Sequence, residues 1–365
     1  MSGDLAVALR RVPDEAETAS FCIGGVSVEI LGSRSDIDFT LVPSLESFRS
    51  EVGCPDISVQ VGWLPRLPAA PARQVFDSGC TWRLYEEESG LRFDFYIAAL
   101  GKVPYKSLHI DRRFSQARLQ MSQEVAAGMA YSLSPLAYPL DELLIMHRLT
   151  QEKAIELHGC GIVRADGTGN LFVGHSGAGK STTTRLWTAQ EDVEVLSDDR
   201  IIVRRDDESF VETPFAHAGS AAEHEVLRLR DSSASRSNHF AQDDKAQKQI
   251  PRSARNDKDF ARNDQGKMRM YGTPWHGEAA YASPGSAPLA RIFILEHGRG
   301  NVLTRLSPSQ AVAELFARSF VPFHRHEYVD SALEFLHELV DAVPCYHYAF
   351  EPNEAAVEKI LEFRD

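Results

Sequence analysis

The eight residues Gly174-His175-Ser176-Gly177-Ala178-Gly179-Lys180-Ser181 fit the pattern G-x-x-x-x-G-K-[ST] without a mismatch. No other stretch constrains the chain so tightly. Glycines at this spacing let successive backbone N–H groups turn toward one anion without Cβ clashes. The pattern asks for a buried strand that ends in the loop and a helix that begins as the loop closes. Leu171-Phe172-Val173 supplies the short apolar run of a strand. Ser181 to Ala189 opens with small hydroxyl residues, as a first helical turn does. That helix points the positive end of its dipole at the same anion. Gly174 to Gly179, Lys180, Ser181 and Thr182 are therefore the candidate nucleotide-binding residues. Lys180 would reach the β- and γ-phosphates, and the Ser181 hydroxyl would sit on Mg²⁺. ATP and Mg²⁺ are the cofactors implied.

The segment before the loop narrows the architecture. Gly159 to Val163 is apolar, Ala165-Asp166-Gly167-Thr168-Gly169 is a turn signal, and Leu171 to Val173 follows. Asp-Gly between two apolar runs predicts a β-hairpin, so the strand that feeds the loop runs antiparallel to its predecessor. A parallel βαβ unit is the commoner setting for such loops.

Beyond the loop, Val193 to Leu196 and Ile201 to Val203 are apolar runs on either side of Ser197-Asp198-Asp199. Read alone, an Asp pair is an ordinary solvated turn. Behind a phosphate loop it becomes a candidate metal and base site. Phosphoryl transfer needs a cation held against the phosphates and a group that orients the incoming hydroxyl. Repulsion between the two carboxylates would raise one pKa unless Mg²⁺ or Lys180 compensates. His158 ends the run Ala154 to Leu157 and is expected at the sheet edge near the loop.

Together His158-Gly159, the hairpin, Gly174 to Ser181 and Ser197-Asp198-Asp199 resemble the C-terminal catalytic domain of HPr kinase/phosphorylase. More distantly they resemble ATP-dependent phosphoenolpyruvate carboxykinase. Pro139 to Leu144 and Gly272-Thr273-Pro274-Trp275-His276-Gly277-Glu278 are similar to blocks in HPr-kinase-related proteins. The resemblance implies an α/β fold, a mixed-sheet P-loop kinase domain, with an N-terminal mostly β domain beside it. It implies catalytic roles for His158, Lys180, Asp198 and Asp199, one Asp being the general base. Ser181, Asp198 and Asp199 are the implied metal ligands. The implied acceptor is a Ser/Thr hydroxyl on a protein or peptide, of the HPr-like or modified-peptide-precursor kind. A homo-oligomer is a further expectation. The Gly-rich signature that follows the acidic pair in HPr kinase is absent, and Gly272 to Glu278 and a polar insertion occupy that part of the chain. A small-molecule kinase, a non-catalytic ATP sensor and a hydrolase or phosphorylase remain the alternatives.

Composition sets outer bounds. The chain of 365 residues is long enough for two cores, and its net charge of −13 argues against a general nucleic-acid binder. No apolar run approaches the roughly 18 residues of a membrane span, and Met1-Ser2-Gly3-Asp4 does not begin a signal peptide. Five scattered cysteines without a C-x-x-C pair predict reduced thiols in a cytoplasmic protein.

Residues 1–135 are expected to form the mostly β domain, in a recognition or regulatory role. Its strands are predicted at Phe21–Ile30, Asp36–Val42, Ile57–Trp63, Thr81–Tyr85 and Leu91–Ala98. Trp82, Phe93, Phe95 and Tyr96 are assigned to its core. Pro139 is predicted to open a helix through Lys153 that packs beside the second sheet and joins the two domains. Residues 139–365 then form the ATP-binding domain. A polar, disordered insertion interrupts it at about 217–268. Trp275, His276 and Glu278 could close over nucleotide or acceptor. Leu289–Glu296 is a buried strand, and Ser307-Pro308-Ser309-Gln310 is a capping box that leads a helix through Phe320. A helix over Ser331–Val343, a strand over Cys345–Phe350 and a last helix capped by Asn353 complete the reading.

Overall fold

The computed structural model describes residues 16–33, 43–71, 73–79, 81–97, 103–128, 134–205 and 268–364. The first sheet contains β1 (Ala16–Ile23), β2 (Val26–Ser33), β3 (Ile57–Leu64), β4 (Gln74–Asp77), β5 (Trp82–Glu86), β6 (Gly90–Phe95), β7 (Lys106–Asp111) and β8 (Gln116–Ser122). Two short helices accompany it, α1 (Pro43–Glu46) and α2 (Gln123–Ala126). The spatial order is β1-β2-β3-β8-β7-β6-β5-β4, with β3 parallel to both neighbours and the other pairs antiparallel. Alternate apolar residues drive it: Phe21, Ile23, Val26, Val28 and Ile30 all face inward.

The single strand expected over Phe21–Ile30 is instead a hairpin. Gly24 and Gly25 turn it with φ of 56° and 76°, a region glycine enters without penalty. The strand expected at Asp36–Val42 falls outside the described residues. Phe93 and Phe95 are core residues, whereas Trp82 packs against the core only partly buried. Strands β4, β7 and β8 were not foreseen, although Leu108 and Ile110 of β7 and Ala117, Leu119 and Met121 of β8 alternate with polar residues.

Helix α3 (Leu140–Leu149) follows, with Pro139 as its N-cap rather than its first helical residue, and it stops short of the expected Lys153. Its apolar residues Leu140, Leu143, Leu144, Ile145 and Leu149 belong to the core of the first sheet. The helix also lies against β9 (Ala154–Val163) of the second sheet.

That second sheet continues with β10 (Gly169–Val173), β11 (Glu194–Ser197), β12 (Arg200–Arg205), β13 (Met268–Tyr271), β14 (Ser286–His297), β15 (Val302–Arg305), β16 (Ser319–Phe320) and β17 (Cys345–Phe350). Its helices are α4 (Lys180–Thr188), α5 (Pro308–Phe316), α6 (His326–Ala342) and α7 (Ala355–Glu362). The predicted antiparallel hairpin is present: β9 pairs β10 from Gly159↔Val173 to Val163↔Gly169. On its other side β10 runs parallel to β14, so the sheet is mixed. The pairings β10–β9, β9–β12, β12–β13, β13–β14 and β14–β10 return on themselves in a barrel-like ring. Closure is possible because the long strands β9 and β14 each serve two neighbours in succession.

Two cores flank this sheet. One joins α5 and α6 to Leu157, Leu171, Val173 and Ile294, the other joins α7 to Phe172, Phe293 and Tyr348. The capping box of α5 is formed by Ser307 and Gln310 as read, but α5 ends at Phe316 and α6 begins earlier than expected, at His326. Asn353 does not cap α7, whose N-cap is Glu354; its side chain faces Glu351 and Asn301 instead. The predicted insertion lies, up to residue 267, outside the described residues.

Candidate functional site

The loop Gly174 to Gly179 leaves the end of β10 and closes onto α4. Gly177 and Gly179 adopt φ of 80° and 103°, which side-chain-bearing residues rarely tolerate. A Cβ on Gly179 would lie 2.4 Å from the Phe350 ring, and one on Gly174 would lie 2.7 Å from Ala178 Cβ. Gly177, by contrast, faces open space. His175, Ser176 and Gly177 are exposed, while Lys180 is nearly buried. The Lys180 ammonium donates to the carbonyls of Gly174 at 3.0 Å and His175 at 3.2 Å. Burial pushes its pKa below the ordinary lysine value, against the attraction of Asp199 and Asp198. His297 donates from Nε2 to the Gly177 carbonyl at 2.8 Å and stacks on Phe350, bracing the loop from β14.

The acidic pair sits in a break between two strands. β11 and β12 both run antiparallel to β9, with Ser197 opposite Gly161 and Arg200 opposite His158. Asp198 and Asp199 fill the gap, and Gly159 N–H donates to the Asp199 carbonyl. Because β9 also leads into the hairpin, this gap lies beside the loop. His158 is not at a sheet edge: it stands mid-strand, with its N–H on the Arg318 carbonyl and its side of β9 closed by β16.

The two carboxylates have different surroundings. His158 Nε2 donates to Asp199 Oδ1 at 3.0 Å, and both side chains are 23% exposed. Arg200 pairs with Asp199 Oδ2. Burial by itself would raise the Asp199 carboxyl. The His158 hydrogen bond and the charges of Arg200, His158 and Lys180 outweigh that and hold it below the usual carboxylate range. Asp198 is 2% exposed, and its oxygens accept from Gly277 N–H and Ala279 N–H, each at 2.9 Å. Each Asp198 oxygen keeps a second lone pair.

Arg200 and its partners were not singled out from the sequence. The guanidinium also pairs with Glu142 of α3, lies 3.3 Å from Glu156 of β9, and stacks over Phe320 of β16 at 4.5 Å. Burial and the neighbouring Glu142 push Glu156 well above the ordinary carboxyl range. Trp275 differs from expectation. Trp275 is buried on α3, its Nε1 donating to Asp141 Oδ2 at 2.8 Å, so it does not close over a ligand. His276 and Glu278 are exposed.

The residues present fit a Mg²⁺–nucleotide. Two loop glycines hold the positive-φ conformations such a loop requires, α4 contributes the unpaired amides of its first turn, and Lys180 supplies a cation. Among the described residues no group of three or more His, Cys, Asp or Glu side chains is placed to hold a metal alone. A Mg²⁺ that rides on phosphates takes only one or two protein oxygens. Ser181 stands half-buried in the first turn of α4, with no side-chain partner among the described hydrogen bonds.

No family model matches the chain, and no curated protein matches it. The described fold is mixed α/β, with two sheets and few helices. Among the described residues no helix is long and apolar enough to cross a membrane.

Proposed function

We propose that this chain is an ATP- and Mg²⁺-dependent kinase of the HPr-kinase-like class, transferring the γ-phosphoryl group to a Ser/Thr hydroxyl of a protein or peptide in the cytoplasm. One contact carries this reading: His158 Nε2 on Asp199 Oδ1, within electrostatic reach of Lys180. Three successive segments of the chain meet there, and each brings the residue type the transfer requires. The antiparallel hairpin and the mixed sheet support a P-loop kinase architecture of the HPr kinase/phosphoenolpyruvate carboxykinase type over residues 139–365. The first sheet, within residues 1–135, is the proposed recognition or regulatory domain.

Bound Mg²⁺–ATP would supply the transferable phosphoryl group and the charge that offsets its oxygens. The chain supplies the rest. The amides of the loop other than those of Gly174 and Ala178, which bond the carbonyls of His158 and His175, would cradle the phosphates, and Lys180 would exchange its carbonyl partners for phosphate oxygens. Ser181 and Asp198 are the proposed metal oxygens. Asp199, ionised and held from one side by His158 and from the other by Arg200, accepts the hydrogen bond of the incoming hydroxyl. Its lowered pKa suits orientation better than early deprotonation, and a loose phosphoryl-transfer transition state asks for little more.

Asp199→Asn separates the steps. The variant is expected to bind Mg²⁺–ATP within about threefold of wild type and to lose transfer by about 10²-fold or more. Wild-type transfer by this variant would refute the role. A wild-type protein that binds the nucleotide without passing its phosphate to any protein, peptide or metabolite would instead be a sensor.

A further inference from the structure

The segment 272–279 is tied at both ends to the strand break. Gly272 N–H bonds the Gly285 carbonyl, Thr273 Oγ1 donates to the Arg200 carbonyl at 2.8 Å, and Gly277 and Ala279 present their amides to the two oxygens of Asp198. Trp275 lies between these attachments and belongs to the core of the first sheet, with its indole N–H on the buried Asp141 of α3. A Cβ on Gly277 would stand 2.9 Å from Asp198 Oδ2 and 3.4 Å from Asp199 Cβ, so only glycine lets this turn approach the carboxylate.

We infer that segment 272–279 is a positioning clamp for the metal carboxylate Asp198, anchored through Trp275 to the core of the first sheet. The inference rests on the kinase reading above. Two charge-assisted bonds from one turn, one to each oxygen, fix the plane of the carboxylate and leave its remaining lone pairs in a set direction. Because the anchor is the α3–first-sheet core, that sheet takes part in setting the geometry of the site. Trp275 and Gly277 act through Asp198 and are positioning residues.

The test uses the full-length chain with Gly277→Ala, Trp275→Phe, Asp141→Asn and Asp141→Leu. Mn²⁺ is titrated in the presence of a non-hydrolysable ATP analogue, and amide exchange at Gly277 and Ala279 is followed without nucleotide. Gly277→Ala is expected to weaken Mn²⁺ binding about 10-fold or more, with analogue affinity in metal-free buffer within about threefold of wild type. Trp275→Phe keeps an aromatic ring but loses the donor and part of the indole's volume, and is expected to speed exchange at both amides. Asp141→Leu should do the same, whereas Asp141→Asn, which retains an acceptor oxygen, should stay near wild type. Unchanged Mn²⁺ affinity in a folded Gly277→Ala would overturn the metal half of the proposal. Unchanged exchange in Trp275→Phe and Asp141→Leu would overturn the anchor. Wild-type protein that binds neither analogue nor Mn²⁺ would refute the kinase reading itself, and the role of the clamp with it.

Discussion

At the residue scale, the site separates groups that hold charge from groups that meet it. Lys180 is satisfied by two loop carbonyls, so its ammonium is pre-placed before any phosphate arrives. Removing it leaves those carbonyls and the proposed phosphate cradle without a cation. Lys180→Ala is therefore expected to lower transfer by about 10²- to 10³-fold, measured as single-turnover release of phosphate to the acceptor. The loop was legible because its information is contiguous: eight residues specify glycine conformations, a cation and a helix start. Asp198 and Asp199 were legible as a pair, but the difference in their surroundings was not. It depends on Gly277, Ala279 and His158, and the Gly277 amide that holds Asp198 comes from 79 residues away. Arg200 was overlooked for a related reason. An arginine after two aspartates reads as a solvated charge, and only the fold brings Glu142 and Glu156 to it.

At the element scale, α3 joins the first-sheet core to the site, and its buried His147 makes that junction acid-sensitive. His147 is wholly buried, stacked on Phe114 at 4.7 Å and edge-on to Phe93, with Nδ1 on the Leu143 carbonyl. His324 and Tyr328 close the other side, and Arg325 is the nearby charge. Burial, with the neighbouring His324, pushes His147 down to about 3, and burial with Arg325 pushes His324 down to about 4. Unfolded histidine titrates near 6.5. The unfolded chain therefore binds more protons between those values, and stability falls as pH drops from about 6.5 toward about 4. Denaturant midpoints across that range should fall less steeply in His147→Leu than in wild type, and equal slopes would contradict the assignment. Asp141, raised to about 6 by burial, and Glu156, raised by burial and Glu142, act in the opposite sense in both proteins and cancel in the comparison. The α5 cap offers a simpler check: Ser307→Ala should cost about 1 kcal/mol in the same unfolding experiment. That cap was readable because its four residues are adjacent. Trp275 was misread as a ligand cover because its partner Asp141 lies 134 residues away.

At the scale of the whole molecule, the first sheet and the site are mechanically joined. The Gly24-Gly25 turn of the β1–β2 hairpin meets β12, the strand that starts at Arg200. Arg204 donates to the Gly24 carbonyl at 2.8 Å, and a Cβ on Gly24 would stand 2.6 Å from Ile202. Gly24→Ala is expected to destabilise the protein by about 1–3 kcal/mol, from overpacking together with the positive φ, read as a lower melting temperature. The mixed α/β class was an expectation carried by the resemblance, whereas the hairpin was visible in local patterns of apolar residues and Asp-Gly. The ring of pairings was not, because it depends on β9 and β14 each bending past two partners. All this structure is proposed to hold a phosphoryl-transfer site. The most direct test is transfer of γ-labelled phosphate from Mg²⁺–ATP into proteins and peptides of the source cell, with Lys180→Ala as control. An acid-stable labelled band that the variant does not produce is the expected result. No label from the wild-type protein, or equal label from both, would contradict the proposal.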